Sequence, residues 1–312
     1  MPPVCRKGNY QMKITCFDDL ATRAKKAKHK TAVAVAEAQD SSTIESVISA
    51  AAEGIIRPIL IGDDQKIRQL VEKAGAFPMD FEIISSDGVS DSLDTAAQLI
   101  HSGQANALMK GAMDTAIFMK TVLHKRNHLL AGGRLSLAGF FQLPSYHKLF
   151  AISDMGINIT PDFDTKRAIV DNAISMLHSL GLSCPKVAIL SSTEKLSAKQ
   201  LDTVDADALK KLGDSDNIRN CIIEGPISFD LATSAKAAKA KGFQSPVAGD
   251  ADLLIVPDVV SGNILAKCLT GMAGAQTAGT VLGAKVPIIL TSRSAEPSDK
   301  FYSIALAACL GN

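Results

Sequence analysis

Residues 286–299 read VPIILTSRSAEPSD and place a short apolar run directly before a polar turn. The β-branched run 286–290 predicts a strand, and the apolar spacing within 301–308 predicts a helix after the turn. In an open α/β sheet, ligands lie at the carboxyl ends of strands, beside the N-termini of the helices that follow. The hydroxyl of Ser292, the guanidinium of Arg293 and a nearby acid therefore predict an anion site, although ordinary turn and cap residues also occupy such positions.

Outward from this stretch, short apolar runs alternate with amphipathic segments along the chain. Strands are predicted at 31–36, 55–62, 81–85, 106–109, 187–191, 221–223 and 252–256. Because these runs are continuously apolar, they are typical of parallel strands that helices cover on both faces. Ser42 and Glu45 have the spacing of a capping box, which predicts the start of the first of these intervening helices.

The alternation is interrupted near Gly132 and Gly133, which makes this point the best candidate for a domain boundary. Two apolar runs, 135–143 and 149–153, follow with a turn-like Pro-Ser between them, and this spacing predicts an antiparallel pair. Helices are predicted at 115–129, 164–180, 198–212 and 228–241, with a glycine- and alanine-rich helix ending at 283.

Composition excludes several classes of function. The 312 residues carry a net charge of +1, contain no tryptophan and are 4% aromatic, so nothing favours nucleic acid or an anionic membrane as partner. No apolar run approaches the roughly 20 residues that span a bilayer. The six cysteines form no CxxC pair and are typical of reduced thiols in a cytoplasmic protein. The motifs GxGxxG, GxxxxGK[ST] and GxSxG are also absent from the sequence.

Lys110 and Gly111 follow the predicted strand 106–109 and form a second candidate site at a strand end. A lysine here could meet a phosphate, and a glycine could let the backbone approach that phosphate closely. A solvated lysine beside a turn glycine is an equally ordinary interpretation. Lys120, within the predicted helix 115–129, has the spacing of a solvated surface residue.

Gly262 and Asn263 lie in a small-residue turn after the predicted strand 252–256. Such a turn before a helix can hold a pantetheine or phosphate group against the backbone.

The sequence does not favour a metal site. His124 and His128 have the i, i+4 spacing of a zinc pair but lack an HExxH glutamate, and Asp250 and Asp252 are more typical of solvent-exposed acids.

Taken in order, these strand ends resemble the phosphate acetyl/butyryltransferase family, and within it the phosphate butyryltransferase branch. The segments that carry the resemblance are LMKGAMDT (108–115), ISDMGINITPD (152–162), IIEGPISFDLA (222–232), PVAGDADLLIVPDVVSGNILAK (246–267) and GAKVPIILTSR (283–293). They span nearly the whole chain from about residue 30, in the order and spacing of the family.

The resemblance implies reversible transfer of an acyl group from acyl-CoA to inorganic phosphate, giving acyl phosphate and CoA. It implies a two-domain α/β fold like that of isocitrate and isopropylmalate dehydrogenases, with mostly parallel sheets and an interdomain cleft. The expected first domain is discontinuous, 12–133 with 282–312, and the second, 134–281, is expected to dimerise or form a higher homo-oligomer. Residues 1–11 are expected to be an N-terminal extension. CoA is a substrate or product here, and no metal or redox cofactor is expected.

Family roles transfer residue by residue. Ser292 and Arg293 match a Ser–Arg pair that contacts phosphate, the acyl carbonyl or the thiol of CoA in relatives. Lys110 and Gly111 match a Lys/Ser–Gly turn of the family, and Lys120 lies where acetyl-specific relatives have a substrate-binding arginine. Gly262 and Asn263, in the small-residue turn described above, are predicted to bind CoA or phosphate together with Lys110, Gly111 and Lys120.

The acid of this loop departs from the butyryl pattern. Butyryl-type members often read SRAD, whereas this chain reads SRSA, which moves the acids to Glu296 and Asp299. Asp299 is predicted to be the base that takes the thiol proton, with Glu296 as the alternative. A phosphate acetyltransferase, a non-catalytic CoA-binding module and a metal- and NAD-dependent dehydrogenase of the same fold are the competing interpretations.

Overall fold

The computed structural model describes residues 14–124, 127–292 and 295–311, and the chain divides into two compact units. The first unit contains Phe17–Gly133 and the chain from Thr277 onward. The second unit contains Arg134–Gln276 together with residues 14–16.

Strands and helices alternate through most of the described chain. The strands are β1 (Thr31–Ala36), β2 (Ile56–Gly62), β3 (Glu82–Ser85), β4 (Ala107–Lys110), β5 (Ser136–Gln142), β6 (Phe150–Ser153), β7 (Lys186–Leu190), β8 (Ile222–Ile227), β9 (Leu253–Ile255), β10 (Gln276–Leu282) and β11 (Ile288–Ile289). The helices are α1 (Phe17–Lys25), α2 (Ser41–Ala52), α3 (Asp64–Lys73), α4 (Val89–His101), α5 (Thr115–Leu123), α6 (Phe163–Ser179), α7 (Leu201–Asp214), α8 (Phe229–Thr233), α9 (Ala235–Lys241), α10 (Val259–Ala273) and α11 (Pro297–Leu310).

The first unit is built on strands in the order β3-β2-β1-β4-β11-β10. The pairs from β3 to β11 are parallel, and β10 pairs antiparallel with β11. Every residue of β1 is buried, as a parallel strand covered on both faces requires. The predicted strand 31–36 coincides with β1 and is confirmed.

The second unit has the strand order β5-β6-β9-β7-β8. β5 and β6 form an antiparallel pair, which confirms the pairing predicted for 135–143 and 149–153, and the remaining strands are parallel. Its apolar core includes the stacked rings of Phe141 and Phe150, with centroids 5.8 Å apart. The α/β fold with mostly parallel strands is the one that the sequence predicts.

Three local predictions are wrong. Residues 276–282 form the strand β10 and not a helix, because left-handed Gly274 ends α10 and the following segment pairs with β11. The predicted helix 228–241 is divided at Ser234, whose side chain caps α9. The predicted helix 115–129 ends at Leu123, because His124 is already extended.

The capping box predicted from Ser42 and Glu45 is also wrong. Asp40 is the N-cap of α2, and its carboxylate accepts a hydrogen bond from the backbone N–H of Thr43. Aspartate and serine are similarly strong N-cap residues, so the structure selects the earlier of two chemically acceptable starts.

The cysteines differ partly from the expectation of reduced thiols. Cys16, Cys221, Cys268 and Cys309 are free, whereas Cys184 is disulfide-bonded, so the expectation is wrong at Cys184. Within the described residues, no helix is both long and apolar enough to cross a membrane.

Candidate active site

Three neighbouring strands of the first unit bring their carboxyl ends together. β1, β4 and β11 are adjacent and parallel, and each is followed along the chain by a helix, namely α2, α5 and α11. Residues at or next to the N-terminal ends of these helices line one cavity of about 400 Å³, within the range of small-molecule sites. Because a helix N-terminus carries about half a positive charge, this arrangement favours an anion. The residues lining the cavity are Asp40, Thr43, Lys110, Gly111, Ala112, Met113, Asp114, Thr291, Ser292 and Lys300.

Lys110 ends β4 and is 4% exposed. Its ammonium group donates hydrogen bonds to the carbonyl oxygens of Gly111 (3.2 Å) and Met113 (3.0 Å), which hold it across the turn into α5. The turn ends at Asp114, whose carboxylate accepts the N–H of Ala116 and caps α5. The buried lysine is therefore fixed at the wall of the cavity.

Gly111 is required by the close approach of two chain segments. A Cβ at this position would overlap the carbonyl oxygen of Glu37, which follows β1. The N–H of Gly111 donates to Ala36 (2.8 Å), and the N–H of Ala112 donates to Glu37 (2.7 Å). The sequence predicts a glycine that admits a phosphate, but here the backbone that approaches Gly111 belongs to the end of β1.

Glu37 is a structural residue of the site that the sequence did not reveal. It is 6% exposed and adopts a left-handed backbone with φ of 55°, which is uncommon for a residue other than glycine. Its carboxylate accepts hydrogen bonds from Ser92 (2.5 Å) and Gln39 (3.1 Å). These bonds and the two backbone bonds around Gly111 fix the end of β1 behind the cavity.

Lys300 is the second buried lysine of the cavity and was also not predicted. It lies in the first turns of α11, is 4% exposed, and contacts the carboxylate of Asp40 (3.4 Å) and the hydroxyl of Thr43 (3.3 Å). Burial raises the pKa of the Asp40 carboxyl, but the hydrogen bonds from Thr43 and the charge of Lys300 outweigh burial, so this pKa lies below its ordinary value. Asp40 is therefore an ionised partner for Lys300.

Of the three predicted catalytic residues, Ser292, Arg293 and Asp299, the structure places one at the cavity. Ser292 lines the cavity with Lys110 and Gly111, whereas Arg293 lies outside the described residues. Asp299 does not line the cavity, and its carboxylate accepts the N–H of Thr277 at 2.9 Å. Burial is the main cause that raises the pKa of Asp299.

The remaining predicted residues do not line this cavity. Glu296 is exposed at the N-cap of α11, and Lys120 is exposed on α5. Gly262 and Asn263 belong to α10 of the second unit. A Cβ on buried Gly262 would lie 2.7 Å from the carbonyl oxygen of Asp154, and the Asn263 amide donates weakly to Met155 at 3.4 Å. These residues pack the turn after β6 against α10.

Two acidic residues of the second unit, Asp250 and Asp252, form ion pairs. Asp250 is paired with Lys148 (2.8 Å), Lys186 and His147, and Asp252 is paired with Lys148 at 2.5 Å. The interpretation of the two acids as solvent-exposed is wrong for Asp252, which is 8% exposed. Among the described side chains, no group of three or more His, Cys, Asp or Glu residues is placed to hold a metal ion.

Comparison with known proteins agrees with this architecture. The model of the phosphate acetyl/butaryl transferase family matches residues 65–308. The chain is 35% identical to the phosphate butyryltransferase of Clostridium acetobutylicum over 295 residues, covering 95% of this chain and 98% of that protein. It is 36% identical to the phosphate acetyltransferase of Thermotoga maritima over 276 residues, covering 88% and 94% of the two chains.

A solved structure gives the same result. A branched-chain phosphotransacylase from Enterococcus faecalis superposes with a TM-score of 0.80 at 30% identity, covering 90% of this chain and 99% of that chain. The matches extend over both units and include the segments that form the cavity. The chain therefore belongs to the phosphate acetyl/butaryl transferase family.

Proposed function

We propose that this protein transfers a short-chain acyl group, butyryl or similar, from acyl-CoA to inorganic phosphate, giving acyl phosphate and CoA in a reversible reaction. The family membership and the similarity to phosphate butyryltransferases and phosphate acetyltransferases support this reaction. The observation that carries the proposal in this chain is the cavity at the ends of β1, β4 and β11, where two buried lysines, Ser292 and three helix N-termini surround a space suited to an anion.

Phosphate has to be held and partly desolvated before it can attack a thioester carbonyl. In this scheme Lys110, already fixed at the cavity wall, holds phosphoryl oxygens, and Arg293 adds a bidentate guanidinium contact. Lys120 is a further phosphate- or CoA-binding residue of the scheme, and Gly111 preserves the turn that carries Lys110.

The tetrahedral intermediate needs hydrogen-bond donors for its oxyanion. Ser292 lines the cavity and supplies a hydroxyl donor, together with backbone N–H groups of the turn. One such donor contributes about 3 kcal/mol to transition-state stabilisation. Holding both substrates in one site supplies the further advantage of proximity.

In the reverse direction the thiol of CoA has to lose a proton. Asp299 is the proposed base because it lies six residues past Arg293, where the family resemblance places an acid, and burial raises its pKa above that of an ordinary aspartate. Glu296, exposed at the start of α11, is the alternative. A rate decrease in Asp299→Asn but not in Glu296→Gln, with acyl phosphate and CoA as substrates, would assign the base to Asp299; the opposite pattern would assign it to Glu296.

CoA is proposed to contact Gly262 and Asn263. The side-chain amide of Asn263 is exposed, makes one long hydrogen bond and can reorient toward a ligand. The test is Asn263→Ala, which is expected to raise KM for acyl-CoA while KM for phosphate stays the same. An unchanged KM for acyl-CoA would remove Asn263 from the site.

The reaction is tested by phosphate-dependent thiol release from acetyl-, propionyl-, butyryl- and isobutyryl-CoA. We expect the highest kcat/KM with butyryl- or isobutyryl-CoA. A preference for acetyl-CoA would identify a phosphate acetyltransferase, which the 36% identity to the Thermotoga maritima enzyme also allows. Binding of butyryl-CoA without thiol release would identify a non-catalytic CoA-binding module and contradict the proposal.

Arg293→Ala tests the anion site directly. Turnover should fall severely, since a bidentate contact to the attacking dianion is lost, while the far-ultraviolet circular dichroism spectrum is unchanged. Arg167→Ala is the matched control, because Arg167 is a half-exposed arginine that forms an ion pair on α6 of the second unit. Activity of Arg293→Ala within about twofold of that control would contradict the scheme.

We propose a homodimer in which α10 contributes to the interface. One face of α10 carries exposed apolar side chains at intervals of four residues. These are Val260, Ile264, Cys268 and Met272. Mass measurement by light scattering should give a dimer, and Ile264→Glu should dissociate it. A monomeric wild-type protein would contradict this proposal.

A further inference from the structure

The cavity contains two buried ammonium groups that come from distant parts of the chain. Lys110 ends β4 and Lys300 lies on α11, and each is 4% exposed. Lysine is almost never fully buried unless its charge has a partner. Of these two buried lysines, the family resemblance assigns a role to Lys110 but not to Lys300. The contacts of Lys300 therefore have to explain why it is buried.

The contacts of Lys300 leave it able to bind another group. Its ammonium is 3.4 Å from a carboxylate oxygen of Asp40 and 3.3 Å from the hydroxyl of Thr43. Both distances exceed the roughly 2.7–2.9 Å of a strong charge-assisted hydrogen bond. A lysine has three N–H donors, so an oxyanion in the cavity can form a shorter bond than either protein partner does.

Asp40 is held in place independently of Lys300. The same carboxylate oxygen accepts the N–H of Thr43 at 2.8 Å and thereby caps α2. If Lys300 turns toward an anion, Asp40 keeps this hydrogen bond and α2 keeps its cap. The lysine can therefore change partners without disturbing the helix.

We propose that Lys300 is a second phosphate-binding residue of the site, with Asp40 as its partner when phosphate is absent. Phosphate is the anion because of the proposed function, on which this inference rests. Lys110 and Lys300 then contact different oxygens of one dianion, and Lys300 exchanges a long contact with Asp40 for a short contact with phosphate.

A purely structural ion pair between α2 and α11 is the alternative explanation. The hydroxyl of Ser46 on α2 donates to the carbonyl oxygen of Ser42 at 2.6 Å and also lies 3.2 Å from the carbonyl oxygen of Pro297 on α11. The two helices are therefore in contact at a second point, so loss of Lys300 is expected to reduce phosphate binding more than folding.

The experiment compares Lys300→Met and Lys300→Arg with wild type by calorimetric titration with inorganic phosphate and by steady-state kinetics. Lys300→Met should raise both Kd and KM for phosphate about 10- to 100-fold, the effect of losing a hydrogen bond to a charged group. KM for acyl-CoA should change less than about twofold. Lys300→Arg should restore part of the affinity, since it keeps the charge but not the geometry.

Lys148→Met is the matched control, because Lys148 is a largely buried, ion-paired lysine of the second unit. It should leave Kd for phosphate unchanged. If Lys300→Met binds phosphate as wild type does, or if wild type binds no phosphate, the inference is wrong.

Should Lys300→Met fail to fold, Asp40→Asn decides the question. Asparagine retains an oxygen for the N–H of Thr43 but removes the charge that attracts Lys300. Phosphate should then bind more tightly than in wild type, and weaker binding would overturn the inference. Failure of the proposed function has a different signature, namely phosphate binding that depends on Lys300 without thiol release from any acyl-CoA.

Discussion

Gly111→Ala tests how the turn after β4 positions the cavity. An added Cβ would overlap the carbonyl oxygen of Glu37, which is backbone and cannot move as a flexible side chain could. The turn therefore has to separate from the end of β1. That movement strains the hydrogen bonds from Gly111 to Ala36 (2.8 Å) and from Ala112 to Glu37 (2.7 Å).

The expected destabilisation follows from these contacts. Overpacking in a well-packed region costs about 1–3 kcal/mol, and each lost hydrogen bond costs about 1 kcal/mol. Alanine also restricts the unfolded chain, which offsets about 0.4–1 kcal/mol of this loss. The free energy of unfolding should fall by about 2–4 kcal/mol, and the melting temperature by about 4–16 °C. Activity should fall as well, because Lys110 moves with the turn.

Thermal unfolding followed by circular dichroism measures the effect. Gly133→Ala is the control, since Gly133 lacks a left-handed φ and its added Cβ meets no atom within 4 Å. The control should remain within about 0.5 kcal/mol of wild type. A melting temperature for Gly111→Ala within about 1 °C of the control would refute the described geometry of the turn.

Three further predictions concern aspartates. Asp40→Ala removes the α2 cap and also the charged partner of buried Lys300, so it should lower the free energy of unfolding by more than the roughly 1 kcal/mol of the cap, whereas Asp40→Asn keeps an oxygen for the cap and should lower it less, as measured by urea denaturation. Burial raises the pKa of Asp250, but its ion pairs with Lys148 and Lys186 outweigh burial and lower it. Asp250→Asn should therefore be destabilising at pH 7, by no more than about 1 kcal/mol for so exposed a side chain, and the difference from wild type should shrink as the pH falls below the ordinary pKa of aspartate and be lost only below the lowered pKa of Asp250. Asp299 has a raised pKa, chiefly from burial, so its ionisation opposes folding at neutral pH. Asp299→Asn should increase the free energy of unfolding at pH 7 and have no such effect below the ordinary pKa of aspartate, and a decrease at pH 7 would contradict the sign.

The parallel framework could be predicted from the sequence because its strands are short, continuous apolar runs. β1 coincides with the predicted segment, and the antiparallel pair β5–β6 was found from two such runs around a turn. β10 could not be found in this way. Its composition, QTAGTVL, is compatible with a helix, and strand pairing, which includes a hydrogen bond from the Thr280 hydroxyl to the carbonyl oxygen of Ile288 (3.1 Å) on β11, makes it a strand.

The candidate site was predictable in part for a geometric reason. Lys110 and Ser292 follow different strands, and the parallel arrangement brings the carboxyl ends of β4 and β11 together at one cavity. Lys300 was missed because the helix containing it was interpreted through its apolar residues. It lies four positions before Ile304, on the same face of α11, so a charged residue on a buried face was the available signal.

The acids around the cavity bear on turnover as well as on binding. Asp40 and Asp114 cap α2 and α5, so each neutralises part of the helix N-terminal charge that would otherwise attract phosphate. In a reversible reaction, tight binding of the ground-state anion lowers KM without raising kcat. If Asp40 acts only on phosphate binding through Lys300, Asp40→Asn should lower KM for phosphate and leave kcat unchanged or lower. An increase in kcat would instead mean that the charge of Asp40 opposes the transition state, and steady-state kinetics at saturating acyl-CoA distinguishes the two results.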